Sequence, residues 1–152
     1  MANYTFKDYV DGVVSLLANL KVENGGLAKT LKAYGGEITI NVNGLFYYAS
    51  RPLPMVLVEV DGAEYAPGGH PYHTQTTRLN IYVVTDSERS DEQAFERSSE
   101  LLDDIRTLLL GQSLLATEMR LLLESEQKMD ATPDFCFYLA TYTFVNPRIA
   151  EA

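Results

Sequence analysis

The chain predicts an α+β fold, in which a mostly antiparallel, mixed β-sheet carries two main helices on one face. Three observations lead there. Residues 74–85 alternate, with Leu79, Ile81 and Val83 on one side and Arg78, Asn80 and Tyr82 on the other, the period of a half-buried strand. After a polar corner the period changes: Phe95, Leu102, Ile105 and Leu109 recur at helical steps, flanked by Leu101 and Leu108. Residues 4–20 show the same stripe through Phe6, Val10, Val13, Leu17 and Leu20. Helices separated from strands in this way cover one face of a sheet.

The elements follow in order. A helix over 4–20 is stopped by Asn24-Gly25-Gly26. Residues 27–34 read as a strand or a weak helical turn, closed by Gly35-Gly36. Residues 38–49 alternate in part, then break at Asn43-Gly44 before Phe46-Tyr47-Tyr48, which reads as a hairpin or an irregular helix. Arg51-Pro52-Leu53-Pro54 is a stiff entry into Met55–Val60, an almost unbroken apolar run expected of a central strand.

Residues 61–73 are rich in glycine and proline and carry no period, so they read as a long loop between two strands of a hairpin spanning 55–85. Loops of that length are commonly functional, which makes this the first candidate contact element. A helix over 91–110 follows. Ser90 and Gln93 have capping-box spacing, and Gly111 suits a left-handed cap. Residues 114–129 fit a helix or a strand, with strand preferred. Residues 135–145 are an aromatic-rich strand with bulk on both faces, ended by Asn146-Pro147. Such a strand belongs inside the sheet or at a subunit contact.

The totals set bounds. A chain of 152 residues with ordinary apolar (46%) and charged (22%) content suits a single domain over 1–152 that needs no metal or disulfide to fold. Cys136 is the one cysteine and sits in an apolar strand pattern, so an inert buried thiol is expected in a reducing compartment. The amino terminus lacks a signal-peptide pattern, and no apolar run reaches the ~18 residues of a membrane span. A net charge of −9 without a Lys/Arg cluster argues against direct nucleic-acid binding.

Motifs for chemistry are weak. Gly25-Gly26-Leu27-Ala28-Lys29-Thr30 lacks the glycines of a phosphate loop, because Ala28 and Glu23 occupy their places. His70 and His73 share one loop without an evident third metal ligand. The acids Asp86, Glu88, Asp91, Glu92 and Glu96 lack calcium-loop spacing and suit a helix amino terminus. No nucleophile elbow appears, and Cys136 has no catalytic neighbours. The expectation is a protein without catalytic residues, cofactor or metal. Its candidate interaction residues are Tyr65, His70, Tyr72, His73, Arg78, Asn80, Tyr82, Tyr138 and Tyr142.

The segments Tyr34-Gly35-Gly36-Glu37, Leu53-Pro54-Met55-Val56-Leu57-Val58 and Arg78-Leu79-Asn80-Ile81-Tyr82-Val83-Val84, with the helix after them, carry a resemblance. In that order they resemble a family of small tail proteins from Mu-type phages and prophages. The resemblance implies a tail terminator: an α/β protein that assembles as a six-membered ring on the head-proximal end of a tail. There it stops polymerisation and offers the head-joining surface. Implied partners are further copies of the chain, the tail tube or sheath protein, and a head-side connector. The implied location is the host cytoplasm during assembly and then the virion tail. The alternatives are a head–tail connector or tail-completion protein, and a small enzyme or ligand-binding domain using the 61–73 loop as a lid.

Overall fold

The computed structural model describes residues 4–35, 38–40, 46–48, 52–67, 72–86, 91–115, 120–131 and 135–149. Helix α1 (Phe6–Leu16) is opened by Thr5, whose hydroxyl accepts the Asp8 amide while the Asp8 carboxylate accepts the Thr5 amide. That reciprocal pair satisfies two donors that a helix start leaves open. The helix stops short of residue 20, and its last turn relaxes into tighter turns at Ala18–Leu20 and Val22–Asn24. Gly25 ends them at φ 90°, where glycine meets no Cβ penalty.

Five strands form the main sheet in the order β1 (Thr30–Ala33), β4 (Met55–Pro67), β5 (Tyr72–Asp86), β7 (Phe135–Ile149) and β6 (Leu122–Ala131). β1 runs parallel to β4, and every other pairing is antiparallel. The expected mixed, mostly antiparallel sheet is therefore present. β2 (Ile38–Ile40) and β3 (Phe46–Tyr48) pair separately as an antiparallel hairpin, and the Asn43-Gly44 turn expected between them lies outside the described residues. Residues 30–33 and 122–131 settle as strands.

Both α1 and α2 (Asp91–Leu109) pack on one face. Tyr9, Val13, Leu17 and Leu20 meet Val56, Val58, Leu79, Ile81 and Val83, joined by Leu101, Ile105, Leu109, Tyr142 and Phe144. Tyr9 stands edge-on to Phe144 at 4.9 Å between ring centres, a favoured aromatic geometry. Phe6 and Phe95, both placed on the apolar stripes by their spacing, are exposed instead. Each lies one turn toward the helix start from the buried row, Tyr9–Val13 in α1 and Ser98–Leu102 in α2. The Ser90–Gln93 cap involves Ser90, which lies outside the described residues. Gly111 does adopt the left-handed conformation, at φ 74°.

The long loop at 61–73 is not there. β4 continues to Pro67 and β5 begins at Tyr72, in register from Gly62↔Arg78 to Pro67↔His73. Asp61 is absorbed as a bulge between Val60 and Gly62, the place where a glycine inside a strand often belongs. The connection thus shrinks to residues 68–71, outside the described residues. β7 likewise runs past Asn146-Pro147 to Ile149. Its β6 neighbour pairs only with residues 136–143, so Pro147 sits where β7 has become an edge, and an edge tolerates a missing N–H.

Candidate assembly surface

The sheet face away from the helices is organised in rows across β4, β5 and β7. The first row, Met55–Val84–Phe137, is buried, and Leu53, Leu57, Tyr34, Tyr82 and Leu139 pack with it. The next is Leu57–Tyr82–Leu139, in which the Tyr82 ring lies 5.0 Å from Tyr34 and 5.8 Å from Phe137.

The third row, Glu59–Asn80–Thr141, is polar. Thr141 donates its hydroxyl to the Asn80 carbonyl oxygen at 3.2 Å, and the Asn80 amide reaches Glu59 at 3.5 Å. The Tyr82 phenol donates to the same Glu59 oxygen. Four side chains from three strands therefore share one network around a single carboxylate. Burial, then the Glu59 carboxylate, pushes the Tyr82 phenol above its ordinary range, so it stays a donor at any physiological pH.

The fourth row, Gly62–Arg78–Thr143, reaches solvent. Arg78 grips Glu124 of β6 with two N–H donors at 3.0 and 3.3 Å. That bidentate contact raises the guanidinium pKa further. Beside it lies a depression of about 230 Å³ lined by Gly62, Ala63, Glu64, Thr76, Arg78 and Thr143. The face thus grades from buried and apolar at one end to charged and exposed at the other.

On the helix-side face, α1 reaches β5 toward the same end of the sheet. There the buried Gln75 accepts the Tyr9 hydroxyl at 3.4 Å and donates to the Tyr65 hydroxyl at 3.4 Å. Tyr65 is 54% exposed. A second ionic cluster joins α2 to β6, where Arg106 donates to Glu126 at 2.9 Å and to Asp103 at 3.2 Å.

The residues singled out from sequence fall into three groups. Arg78, Asn80 and Tyr82 do share the open face. Tyr65, Tyr138 and Tyr142 lie on the helix side, and of these only Tyr65 presents its ring to solvent. Tyr142 is fully buried in the helix-side core; α2 covers it, so it belongs to packing and not to a surface. Tyr138 is half-buried against the same core, and burial raises its pKa. Tyr72 and His73 lie in β5, paired with Ile149 and Arg148 of β7. His70 lies outside the described residues. Glu59, Thr141 and Glu124 were missed. Glu59 had one signal, as the single carboxylate interrupting Met-Val-Leu-Val-Glu-Val.

Among the described residues, no group of three or more His, Cys, Asp or Glu is placed to hold a metal ion, and no helix is long and apolar enough to cross a membrane. The fold and surface define a small α+β domain with an open sheet face that grades from apolar to charged, two sheet edges and a projecting three-stranded end. No protein-family model matches the chain, and no curated protein matches it in sequence. Among solved structures, its fold is similar to a chain of the virion of a native gene transfer agent particle. The TM-score is 0.59 at 13% identity, over 96% of this chain and 100% of that one.

Proposed function

We propose that this protein is a structural component of a phage or phage-derived particle, acting as a tail terminator. It caps the head-proximal end of the tail as a ring of identical copies and provides the surface that the head joins. The observation that carries this reading is the fold shared, end to end, with a chain of a gene transfer agent virion. The family resemblance of the segments at 34–37, 53–58 and 78–84 points the same way. The surface is compatible with that role, offering strand edges, exposed aromatic and ionic side chains and a projecting end to other proteins. The mechanism is non-covalent: one ring face matches the growing tail end, and the other presents no such end. Its partners would be other copies, the tail tube or sheath protein and a head-side connector. It would act in the host cytoplasm and remain in the virion tail.

Deleting the gene and measuring tails by negative-stain electron microscopy tests this. Tails of uncontrolled length, brought back to a uniform length by adding purified protein, are expected. Unchanged tail length with heads unattached would instead favour a head-side connector. Unchanged tails and normal particles would end the structural reading.

A further inference from the structure

Among the described residues, Leu115 is the one residue other than glycine with a positive φ, 55°. In that left-handed conformation the Cβ crowds the backbone, so a leucine holds it only where its surroundings impose it. Three contacts do so here. The Leu115 side chain lies against α1 at Gly12, where a Cβ on residue 12 would sit 2.8 Å from Leu115 Cδ2 and 3.0 Å from Leu114 Cδ1. The Tyr4 hydroxyl donates to the Leu115 carbonyl oxygen at 3.4 Å. Leu115 also packs, half-buried, at the margin of the helix-side core.

The residues just before it are held differently. Leu114 is fully buried in the core. Behind it the Leu121 amide donates to the Gln112 carbonyl at 3.1 Å, and the Gly111 amide donates to the Leu121 carbonyl at 2.8 Å. Arg120 adds a bond to the Gly111 carbonyl at 2.9 Å. Leu115 therefore extends from an anchored base onto α1. A depression of about 450 Å³ there is lined by Tyr4, Asp8, Asp11, Gly12, Ser15 and Leu115, and Leu115 is its one wall from outside the amino-terminal segment.

We propose that Leu115 is a strained latch on α1. Docked, its side chain covers Gly12 and closes the depression on that side. Undocked, residue 115 relaxes out of the left-handed region and the α1 surface around Gly12 opens, while Leu114 and the base behind it stay in place. Strain and contact oppose each other at one residue, so the two states lie close in free energy and a small change at Gly12 shifts their balance. The latch stands on Leu115 and Gly12 and is independent of the ring reading.

Gly12→Ala separates a latch from ordinary packing, because its two effects have opposite signs. Alanine is the better helix former, so α1 itself gains, while the new methyl takes the room that the Leu115 side chain fills. NMR of methyl-labelled leucines, with relaxation dispersion for exchange on the microsecond-to-millisecond scale, gives the readout. Gly12→Ala is expected to raise the undocked population of Leu115 by roughly tenfold or more, the shift that mild overpacking produces. Hydrogen-exchange protection of the β4 and β5 amides should stay as in the wild type. Leu115→Ala is the second variant, since it empties the slot without overpacking it. There a soluble paramagnetic agent should broaden the Gly12 and Ser15 signals more than in the wild type, again with β4 and β5 unchanged. If Leu115 keeps its Overhauser contacts to residue 12 in Gly12→Ala and shows no added exchange, there is no latch. If protection falls across β4 and β5 together, the contact is core packing that unfolds with the rest, and the proposal fails. Unchanged broadening in Leu115→Ala would show that Leu115 does not cover α1, which overturns it as well.

Discussion

Thr85 of β5 and Ser98 of α2 hold their hydroxyl oxygens 2.7 Å apart, with both residues fully out of solvent. This bond ties the long helix to the central strand, one residue along from the Asp86–Arg97 ion pair at 3.1 Å. Replacing Thr85 by Val keeps the shape but leaves the Ser98 hydroxyl without that partner. A loss of about 1–3 kcal/mol is expected, with part of it recovered in the double variant Thr85→Val/Ser98→Ala. Urea unfolding of the two single variants and the double gives the coupling between the sites. No recovery in the double variant would show that the pair acts only through packing.

Tyr142 should respond the opposite way. Its hydroxyl is buried and has no hydrogen-bond partner among the described residues. Tyr142→Phe removes a polar group that gains nothing from burial. Stability is therefore expected to hold or rise by up to about 1 kcal/mol, as read from the urea midpoint. A clear loss would mean that the hydroxyl is satisfied in solution.

Alkaline pH should unfold the protein through its tyrosines. Burial first, then the Glu59 carboxylate, raises the Tyr82 pKa above 10.0. Burial first, then the Glu126 carboxylate, does the same for Tyr142. Below the unfolded value the phenols are neutral in both states, so their contribution is fully present. As pH rises through ~10 the unfolded chain releases those protons while the folded one holds them, and stability falls. Urea midpoints from pH ~8 to ~11 should decline, and the decline should be shallower in Tyr82→Phe/Tyr142→Phe. Parallel slopes would assign the alkaline effect to other groups.

Two glycines give a contrast. A Cβ on Gly26 would run into the Leu20 carbonyl, and Leu20 also accepts the Ala28 amide at 2.8 Å. The obstacle is backbone and cannot swing away. Gly26→Ala is expected to cost about 1–3 kcal/mol. At Gly62 a Cβ meets nothing within 4 Å, so Gly62→Ala should change stability by less than about 0.5 kcal/mol. Thermal melts of the two variants check both; equal shifts would sink the argument.

How far the sequence was legible depends on the residue. The alternation at 79–83 placed Leu79, Ile81 and Val83 against the helices and Arg78, Asn80 and Tyr82 opposite, as observed. The glycines and prolines of 61–73 misled, because the same residues that mark loops also mark bulges and the ends of long strands. Two register partners of β4, Thr76 and Thr77, favour strands but lie 12 and 14 positions after the residues they face, Glu64 and Ala63. For the surface, Arg78 was found, but its partner Glu124 stands 46 positions later. Tyr142 shared a strand face with Tyr138 and looked equally available.

Local order came from periodicity alone. A period of two or of 3.6 is a property of neighbouring residues, so it revealed two helices, the main strands and the sides on which their apolar residues lie. Strand order, register and exposure are sums over residues distant in the chain. Only the folded sheet set Glu59, Asn80 and Thr141 in one row, closed α2 over Tyr142, and brought Arg78 to Glu124. Each of these needs contacts across tens of residues, whose geometry no local pattern encodes.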